Sequence, residues 1–116
     1  MPKVSFIIPV HNEARSLHRC LESILSQSFR DLEIICVDDG SDDGSADILQ
    51  EYVNREPRVH ATAFQRRLGT VLARKLALLD AQGEYIMFAD ADDMLLPGAC
   101  ETALRLIGES DRKSVV

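Results

Sequence analysis

The sequence predicts an α/β protein built on a mostly parallel sheet flanked by helices. Four short apolar segments rich in β-branched residues are typical of buried strands. Each is followed by a segment whose apolar residues recur at helical spacing. Strands that alternate with amphipathic helices, in the order β-α-β-α-β-α-β-α, favour a parallel sheet with right-handed crossovers. No linker interrupts this order, so residues 1–116 are expected to form a single domain.

The first half of the chain predicts two strands with a helix between them. Residues Val4–Val10 are apolar and β-branched, and Pro9 is expected to end this first strand. A helix is predicted over Ala14–Gln27 from apolar residues at helical spacing, which are Leu17, Cys20, Leu21, Ile24 and Leu25. Leu32–Val37 reads as a second buried strand. The segment Asp38–Ser45 that follows is rich in turn formers and helix N-caps.

The next two elements are a helix and a strand, with a proline between them. Ile48, Leu49, Tyr52 and Val53 indicate a second helix that ends near Pro57, and Arg58–Phe64 is a third strand.

The last elements follow the same pattern. A third helix is predicted over Gly69–Ala81, with Gly83 closing it. Tyr85–Ala89 is the fourth strand. Pro97 is expected to open a last helix that runs through Ile107, because proline suits a first helical turn.

Composition restricts the class of protein. A hydrophobic fraction of 46% and a charged fraction of 28% are typical of a soluble globular protein. The net charge of −6 argues against a general nucleic-acid binder. Cys20, Cys36 and Cys100 lack CxxC spacing, which indicates reduced thiols. The sequence has no recognisable signal peptide or membrane-length apolar run, so the expected location is the cytoplasm, with the inner face of a membrane left open.

Polar side chains follow three of the predicted strands, at Pro9–Glu13, Asp38–Ser41 and Asp90–Asp93. In a parallel sheet these ends share one edge, where open α/β sheets bind ligands. Clustered carboxylates repel one another unless a cation compensates their charge. Mg²⁺ and Mn²⁺ prefer oxygen ligands and share them with substrate phosphates. The pattern therefore predicts a site for a divalent cation (Mn²⁺ or Mg²⁺) and a diphosphate.

The chain carries four segments of characteristic sequence, which are Val4–Glu13, Glu33–Ser45, Gly69–Arg74 and Gly83–Asp93. Together they resemble family-2-like glycosyltransferases of the GT-A type. Val4–Glu13 resembles their opening strand, and Glu33–Ser45 resembles their nucleotide-binding loop. Gly69–Arg74 resembles the helix after their third strand, and Gly83–Asp93 resembles the segment that ends in their DxD motif. A DxD pair alone is a weak signal, but four segments in order cover nearly the whole chain. The resemblance implies a Rossmann-like GT-A nucleotide-diphospho-sugar transferase fold in truncated form, the nucleotide-sugar-binding half without the acceptor-binding half.

The resemblance also implies roles for individual residues. Asp39 would hydrogen-bond the base, which is most often uracil in this family. Asp92 would bind the metal directly, and Asp90 would lie near the ribose and the water shell of the metal. Arg74, with Arg67 or Lys75 as further candidates, would offset phosphate charge. The implied nucleotide-sugar site comprises Pro9, Val10, His11, Asn12, Glu13, Asp38, Asp39, Arg74, Asp90, Ala91 and Asp92.

The implied reaction transfers a sugar from an NDP-sugar, with a UDP-sugar as the first expectation, to a carbohydrate or lipid-linked acceptor. Three residues depart from the family pattern. His11 replaces an aromatic residue, and Arg67 and Lys75 replace asparagines. The Arg66–Arg67 pair is either solvated or a phosphate clamp. The catalytic base of the family is expected outside this chain.

Two alternatives to an active transferase stay open. The chain is either a non-catalytic nucleotide-binding fragment or a phosphoryl-transfer protein, although the second needs an aspartate at the end of strand one, where Pro9-Val10-His11 stands. Ser114–Val116 is expected to begin a fifth strand. Loss of a second half would leave an apolar sheet edge uncovered, which favours self-association.

Overall fold

The computed structural model describes residues 2–110 of the chain. Its elements follow the predicted order. They are β1 Val4–Val10, α1 Ala14–Leu25, β2 Leu32–Asp39, α2 Ser45–Arg55, β3 Val59–Phe64, α3 Thr70–Asp80, β4 Tyr85–Phe88 and α4 Ala99–Ser110. The strand expected at Ser114–Val116 lies outside the described residues.

Within the described residues, the strands form one parallel sheet in the order β3-β2-β1-β4. Val4 of β1 is in register with Leu32 of β2 on one side and with Tyr85 of β4 on the other. The chain lays down β1, β2 and β3 in one direction and then crosses to the far side of β1. This reversal makes β1 the switch point of the sheet, and ligand crevices in open α/β sheets lie at such points.

The sheet is buried by different helices on its two faces. Side chains of β1 alternate between the faces: Phe6 and Ile8 pack with α1 and α2, whereas Ile7 packs against α3. Ala73 and Ala77 of α3 are the small residues that lie on the sheet. Cys100 brings α4 into the larger of the two clusters. The prediction of a parallel sheet flanked by helices is therefore confirmed.

The prediction that Pro9 ends β1 is wrong, because the strand continues to Val10. The carbonyl of Ile7 accepts from the Ala89 amide at 3.1 Å, so this residue turns its peptide groups toward β4. The peptide groups of Pro9, which is two residues further along the strand, point toward the same side. Because β4 ends at Phe88, the missing N–H of Pro9 has no ladder partner to lose.

Gly83 and Pro97 have roles other than the predicted ones. Helix α3 ends with Ala81 in an extended conformation. A Cβ on Gly83 would lie 2.6 Å from both the amide nitrogen and Oγ of Ser5, so glycine permits a close approach to β1 there. Pro97 does not open α4, because Gly98 has a φ of 79° and the helix begins at Ala99.

Within residues 2–110 no helix combines the length and apolar character that crossing a membrane requires.

Candidate functional site at the carboxyl ends of the strands

A cavity of about 280 Å³ opens at the carboxyl ends of β1, β2 and β4. The three polar segments predicted to share an edge do lie around it. Its lining residues are Pro9, Val10, His11, Glu13, Asp39, Arg67, Thr70, Asp90, Ala91 and Asp92. Asp39 and Asp92, which are 53 positions apart, therefore face one space. This is the arrangement that a nucleotide bound across a sheet edge requires.

Asp39 is the buried carboxylate of this cavity, with only 2% of the residue exposed. Its Oδ1 accepts from the Leu68 amide at 2.6 Å, and its Oδ2 accepts from the Gly69 amide at 2.9 Å. These bonds use one acceptor position on each oxygen and leave others free, because an ionised carboxylate has about four. Asp39 is thus oriented by backbone donors while keeping capacity for a ligand.

The loop before α3 packs directly on the end of β2. Gly40 has a φ of 69°, and a Cβ there would lie 2.5 Å from backbone atoms of Arg66 and Arg67. Any side chain at position 40 would push the two loops apart. Gly69 has φ 106° and ψ 150°, a conformation accessible essentially to glycine alone. Both glycines thereby fix the amides that hold Asp39.

His11 takes a defined tautomer in this site. Its Nδ1 lies 2.7 Å from the backbone carbonyl oxygen of Asp39. A carbonyl can only accept, so Nδ1 carries the proton and donates it. In the neutral ring Nε2 is then the acceptor. The ring is half-buried at the cavity wall, where a planar group can lie against a base.

Asn12 and Asp38, two of the predicted site residues, do not line the cavity. The backbone amide of Asn12 donates to Ser41 Oγ at 2.8 Å. The side-chain Oδ1 of Asn12 accepts from the backbone amide of Asp42, also at 2.8 Å. The buried Asp38 carboxylate accepts from the Ser41 amide at 3.2 Å. Asn12 thereby joins the loop after β1 to the loop after β2, whereas Asp38 closes the loop that follows its own strand. Asn12 adopts a left-handed φ of 52°, which asparagine tolerates better than most residues.

Asp90, Asp92 and Asp93 form an acidic turn after β4. One carboxylate oxygen from each lies within 4.8 Å of the others, and all three side chains are exposed. The Asp93 amide donates to the Asp90 carbonyl at 3.0 Å, which closes the turn. Three carboxylates with one open side are a suitable donor set for Mg²⁺ or Mn²⁺, which take oxygen ligands and usually keep waters or phosphates. The predicted pair Asp90 and Asp92 thus fits a metal, and Asp93 joins them.

Arg74 lies behind the acidic turn and does not line the cavity. Its Nη2 is 3.4 Å from Oδ1 of Asp90, and its guanidinium lies 5.8 Å from the centre of the Phe88 ring. Its Nε is buried without a hydrogen-bond partner among the described residues. Lys75 is exposed.

Arg67 and Thr70 line the cavity although the predicted site set omits both. Nε of Arg67 lies 3.9 Å from Oδ2 of Asp39. The sequence predicted Arg67 to be either solvated or a phosphate contact, because its place beside Asp39 depends on the loop contact with Gly40. Thr70 opens α3, and its position as the first residue after Gly69 was the signal available.

Together, the parallel sheet with its reversal at β1 and the acidic turn beside the cavity define a GT-A-type α/β protein. The chain belongs to glycosyl transferase family 2, whose model matches residues 5–116. It is similar to the glycosyltransferase GlyG of Streptococcus pneumoniae serotype 4 (strain ATCC BAA-334 / TIGR4), with 33% identity over 113 residues, 97% of this chain and 38% of GlyG.

The fold is also similar to solved structures that exceed 25% identity, among them the two that follow. S. aureus TarS 1-349 in complex with UDP superposes with a TM-score of 0.83 at 29% identity, over 92% of this chain and 32% of TarS. The mannosyltransferase PcManGT of Pyrobaculum calidifontis, in complex with GDP-Man and Mn²⁺, superposes with a TM-score of 0.84 at 27% identity, over 91% of this chain and 32% of PcManGT. The chain thus spans about a third of these proteins.

Proposed function

We propose that the chain is the donor-binding part of a glycosyltransferase that transfers a sugar from an NDP-sugar, with a UDP-sugar as donor. The observation that carries this proposal is the cavity that Asp39 and Asp92 share. One wall offers a buried, oriented carboxylate for a base, and the other offers exposed carboxylates for a cation. The UDP complex of TarS and the GDP-Man complex of PcManGT support a nucleotide-sugar ligand.

Each wall has a distinct task in this proposal. Asp39 accepts a hydrogen bond from the base through its remaining lone pairs, and uracil offers an N–H for this purpose. Pro9, Val10 and His11 line the space for base and ribose, with the His11 ring fixed by its bond to the Asp39 carbonyl. Arg67 adds positive charge beside Asp39.

The acidic turn faces the diphosphate. Asp92 and Asp90 would hold Mn²⁺ or Mg²⁺, which supplies positive charge that stabilises the leaving nucleoside diphosphate. Arg74 restrains Asp90 through their ion pair and offsets part of the local negative charge. No residue of the chain is assigned as the catalytic base.

The acceptor in this proposal is a carbohydrate or a lipid-linked carbohydrate, and the chain acts in the cytoplasm or at the inner face of a membrane. The three cysteines are buried and free, which suits a reducing compartment.

The test of this proposal is calorimetric titration of the chain with UDP in Mn²⁺ and in EDTA. Heat that requires the metal supports the assignment. No heat at about millimolar UDP, the weakest range in which such sites work, would count against it.

A second candidate function is binding without turnover. It is considered because the residues around the cavity are assigned to the base, the ribose and the cation, and none of them is assigned to an acceptor. Donor hydrolysis and transfer to an acceptor separate the two functions, because measurable transfer refutes a binding-only role. The phosphoryl-transfer alternative loses support from the family membership.

We further propose that two copies of the chain pair through the edge strand β4. Its four residues are Tyr-Ile-Met-Phe, with none of the charges or prolines that usually protect an exposed edge. Amides of Tyr85 and Ala89 bond to β1, so the alternate amides of Ile86 and Phe88 point to the outer side of β4, where no strand of residues 2–110 pairs with it.

A further inference from the structure

Side chains of helix α1 contact the backbone carbonyls of the acidic turn Asp90–Asp93. Ser16 Oγ donates to the Ala91 carbonyl at 2.9 Å, and Nη2 of Arg19 donates to the Asp92 carbonyl at 3.3 Å. Cys20 Sγ approaches the Asp90 carbonyl at 3.5 Å. Positions 16, 19 and 20 share one side of a helix, because residues three and four apart are neighbours. Three successive carbonyls of the turn therefore face one helix.

These contacts determine where the carboxylates point. Ala91 is 3% exposed and packs inward, whereas Asp90 and Asp92 on either side of it are exposed. The carbonyls are occupied by α1, and the carboxylates of Asp92 and Asp93 have no hydrogen bond among the described residues. The turn is thus fastened through its main chain while its side-chain oxygens stay available.

We propose that Ser16 and Arg19 are positioning residues for the metal-binding carboxylates. They act through the backbone of the turn and touch neither the metal nor the nucleotide. This inference rests on the proposed function, because it takes Asp90 and Asp92 as the ligands. Groups that orient metal ligands in this way are worth about 10–100-fold in metal affinity.

The two residues contribute in different ways. The hydroxyl of Ser16 has weaker alternatives in Glu13 at 3.3 and 3.4 Å, so the 2.9 Å bond to Ala91 is its best-placed one. Arg19 brings a permanent positive charge to the carbonyl side of an acidic turn, where it also reduces repulsion between the carboxylates. Arg15, one turn earlier on the same helix, is exposed and has no such contact.

Arg15 and Arg19 make a matched pair for the experiment. We would compare Arg19→Gln with Arg15→Gln, and Ser16→Ala with Ser16→Thr, which keeps the hydroxyl. Three measurements are made on each variant and on the parent chain. They are Mn²⁺ affinity at saturating UDP, UDP affinity in EDTA, and hydrogen exchange of the Asp93 amide without ligand.

The expected changes are confined to Mn²⁺ affinity and to amide exchange in the acidic turn. Arg19→Gln and Ser16→Ala weaken Mn²⁺ binding about tenfold and speed exchange of the Asp93 amide, while UDP affinity in EDTA is unchanged. Arg15→Gln and Ser16→Thr behave as the parent chain. Equal losses in Arg15→Gln and Arg19→Gln would overturn the proposal, because they would show a general charge effect, and so would unchanged exchange in Arg19→Gln and Ser16→Ala.

The experiment tests the proposed donor site and the positioning role of Ser16 and Arg19 separately. If the parent chain binds no Mn²⁺ with UDP, the proposed donor site is wrong. Amide exchange still decides the positioning in that case, because it is measured without metal or nucleotide. Faster exchange in both variants supports it, and exchange equal to that of the parent chain overturns it.

Discussion

The amide of Gly69 donates to Oδ2 of Asp39 at 2.9 Å, and this bond joins the start of α3 to the end of β2. It exists only because Gly69 holds φ at 106° with ψ at 150°. Gly69→Ala is therefore expected to cost about 1–3 kcal/mol in the free energy of unfolding, measured by urea denaturation, and to weaken UDP binding.

Gly108→Ala is the matched control for this change. Gly108 lies in α4, and a Cβ there would meet nothing within 4 Å. Because alanine is the better helix former, this variant should be stabilised by about 0.5–1 kcal/mol. Equal effects of both substitutions would contradict the role given to Gly69.

Asp92→Asn is expected to lower the affinity for UDP in the presence of Mn²⁺ by more than about tenfold. UDP binding by this variant should then no longer depend on Mn²⁺. Unfolding should be unchanged, since the side chain is exposed and unpaired among residues 2–110. Calorimetry with and without EDTA makes the measurement. Asp31→Asn, an exposed aspartate before β2 at the opposite end of the sheet, should bind as the parent chain does. An unaltered metal response in Asp92→Asn would remove this residue from the site.

Alkaline pH is expected to destabilise the fold. Burial raises the pKa of Cys20 from 9.0 to about 12 and that of Cys100 to about 11, and the carboxylates of Asp93 and Asp92 add to the rise at Cys20. The folded chain keeps these protons where the unfolded chain loses them. Their contribution is therefore complete below pH 9 and lost as pH rises through 11 to 12.

Urea midpoints at about pH 8 and pH 10.5 test this linkage. The midpoint should fall at the higher pH, and the fall should shrink in the double variant Cys20→Ala, Cys100→Ala. It should not vanish, because burial also raises the pKa of Cys36 and that of Tyr52, the latter to about 12. A midpoint that rises with pH would contradict the sign.

Self-association is expected to depend on β4. Ile86→Pro removes an amide that points to the open edge and spares the ladder to β1, so light scattering should find this variant monomeric where the parent chain is dimeric. Leu79→Lys is the contrasting change, because Leu79 is 81% exposed on α3, which packs on β1 and β2. Dissociation by Leu79→Lys and not by Ile86→Pro would assign the contact to α3 instead.

Local patterns predicted the elements well because burial sets their periodicity. Leu17, Cys20, Leu21 and Ile24 mark the buried side of α1, as their spacing indicates. The three polar edges could be predicted from position alone, since parallel strands end together. The Pro9 and Gly83 predictions were wrong because each depends on a neighbouring strand: β4 stops short of Pro9, and Ser5 leaves no room beside Gly83.

The site was harder to predict where loops meet. Asn12 and Asp38 look like ligand contacts by spacing, yet the Asn12 oxygen joins two loops and the Asp38 oxygen closes the loop after β2. Arg67 reaches the cavity only because Gly40 lets the backbone pass at contact distance. Such contacts depend on tertiary geometry that composition and periodicity do not encode.

The placement of β4 beside β1 has a consequence for synthesis. Strand β1 is paired on its second side only after β4 has been made, and the acidic turn follows β4 directly. A nascent chain that has emerged only through α3 has Asp39 with its Leu68 and Gly69 donors but lacks the acidic turn. If the proposed donor site is correct, nucleotide can therefore act as a folding ligand only after about residue 93 has emerged, which ties donor binding to the pairing of β4 with β1.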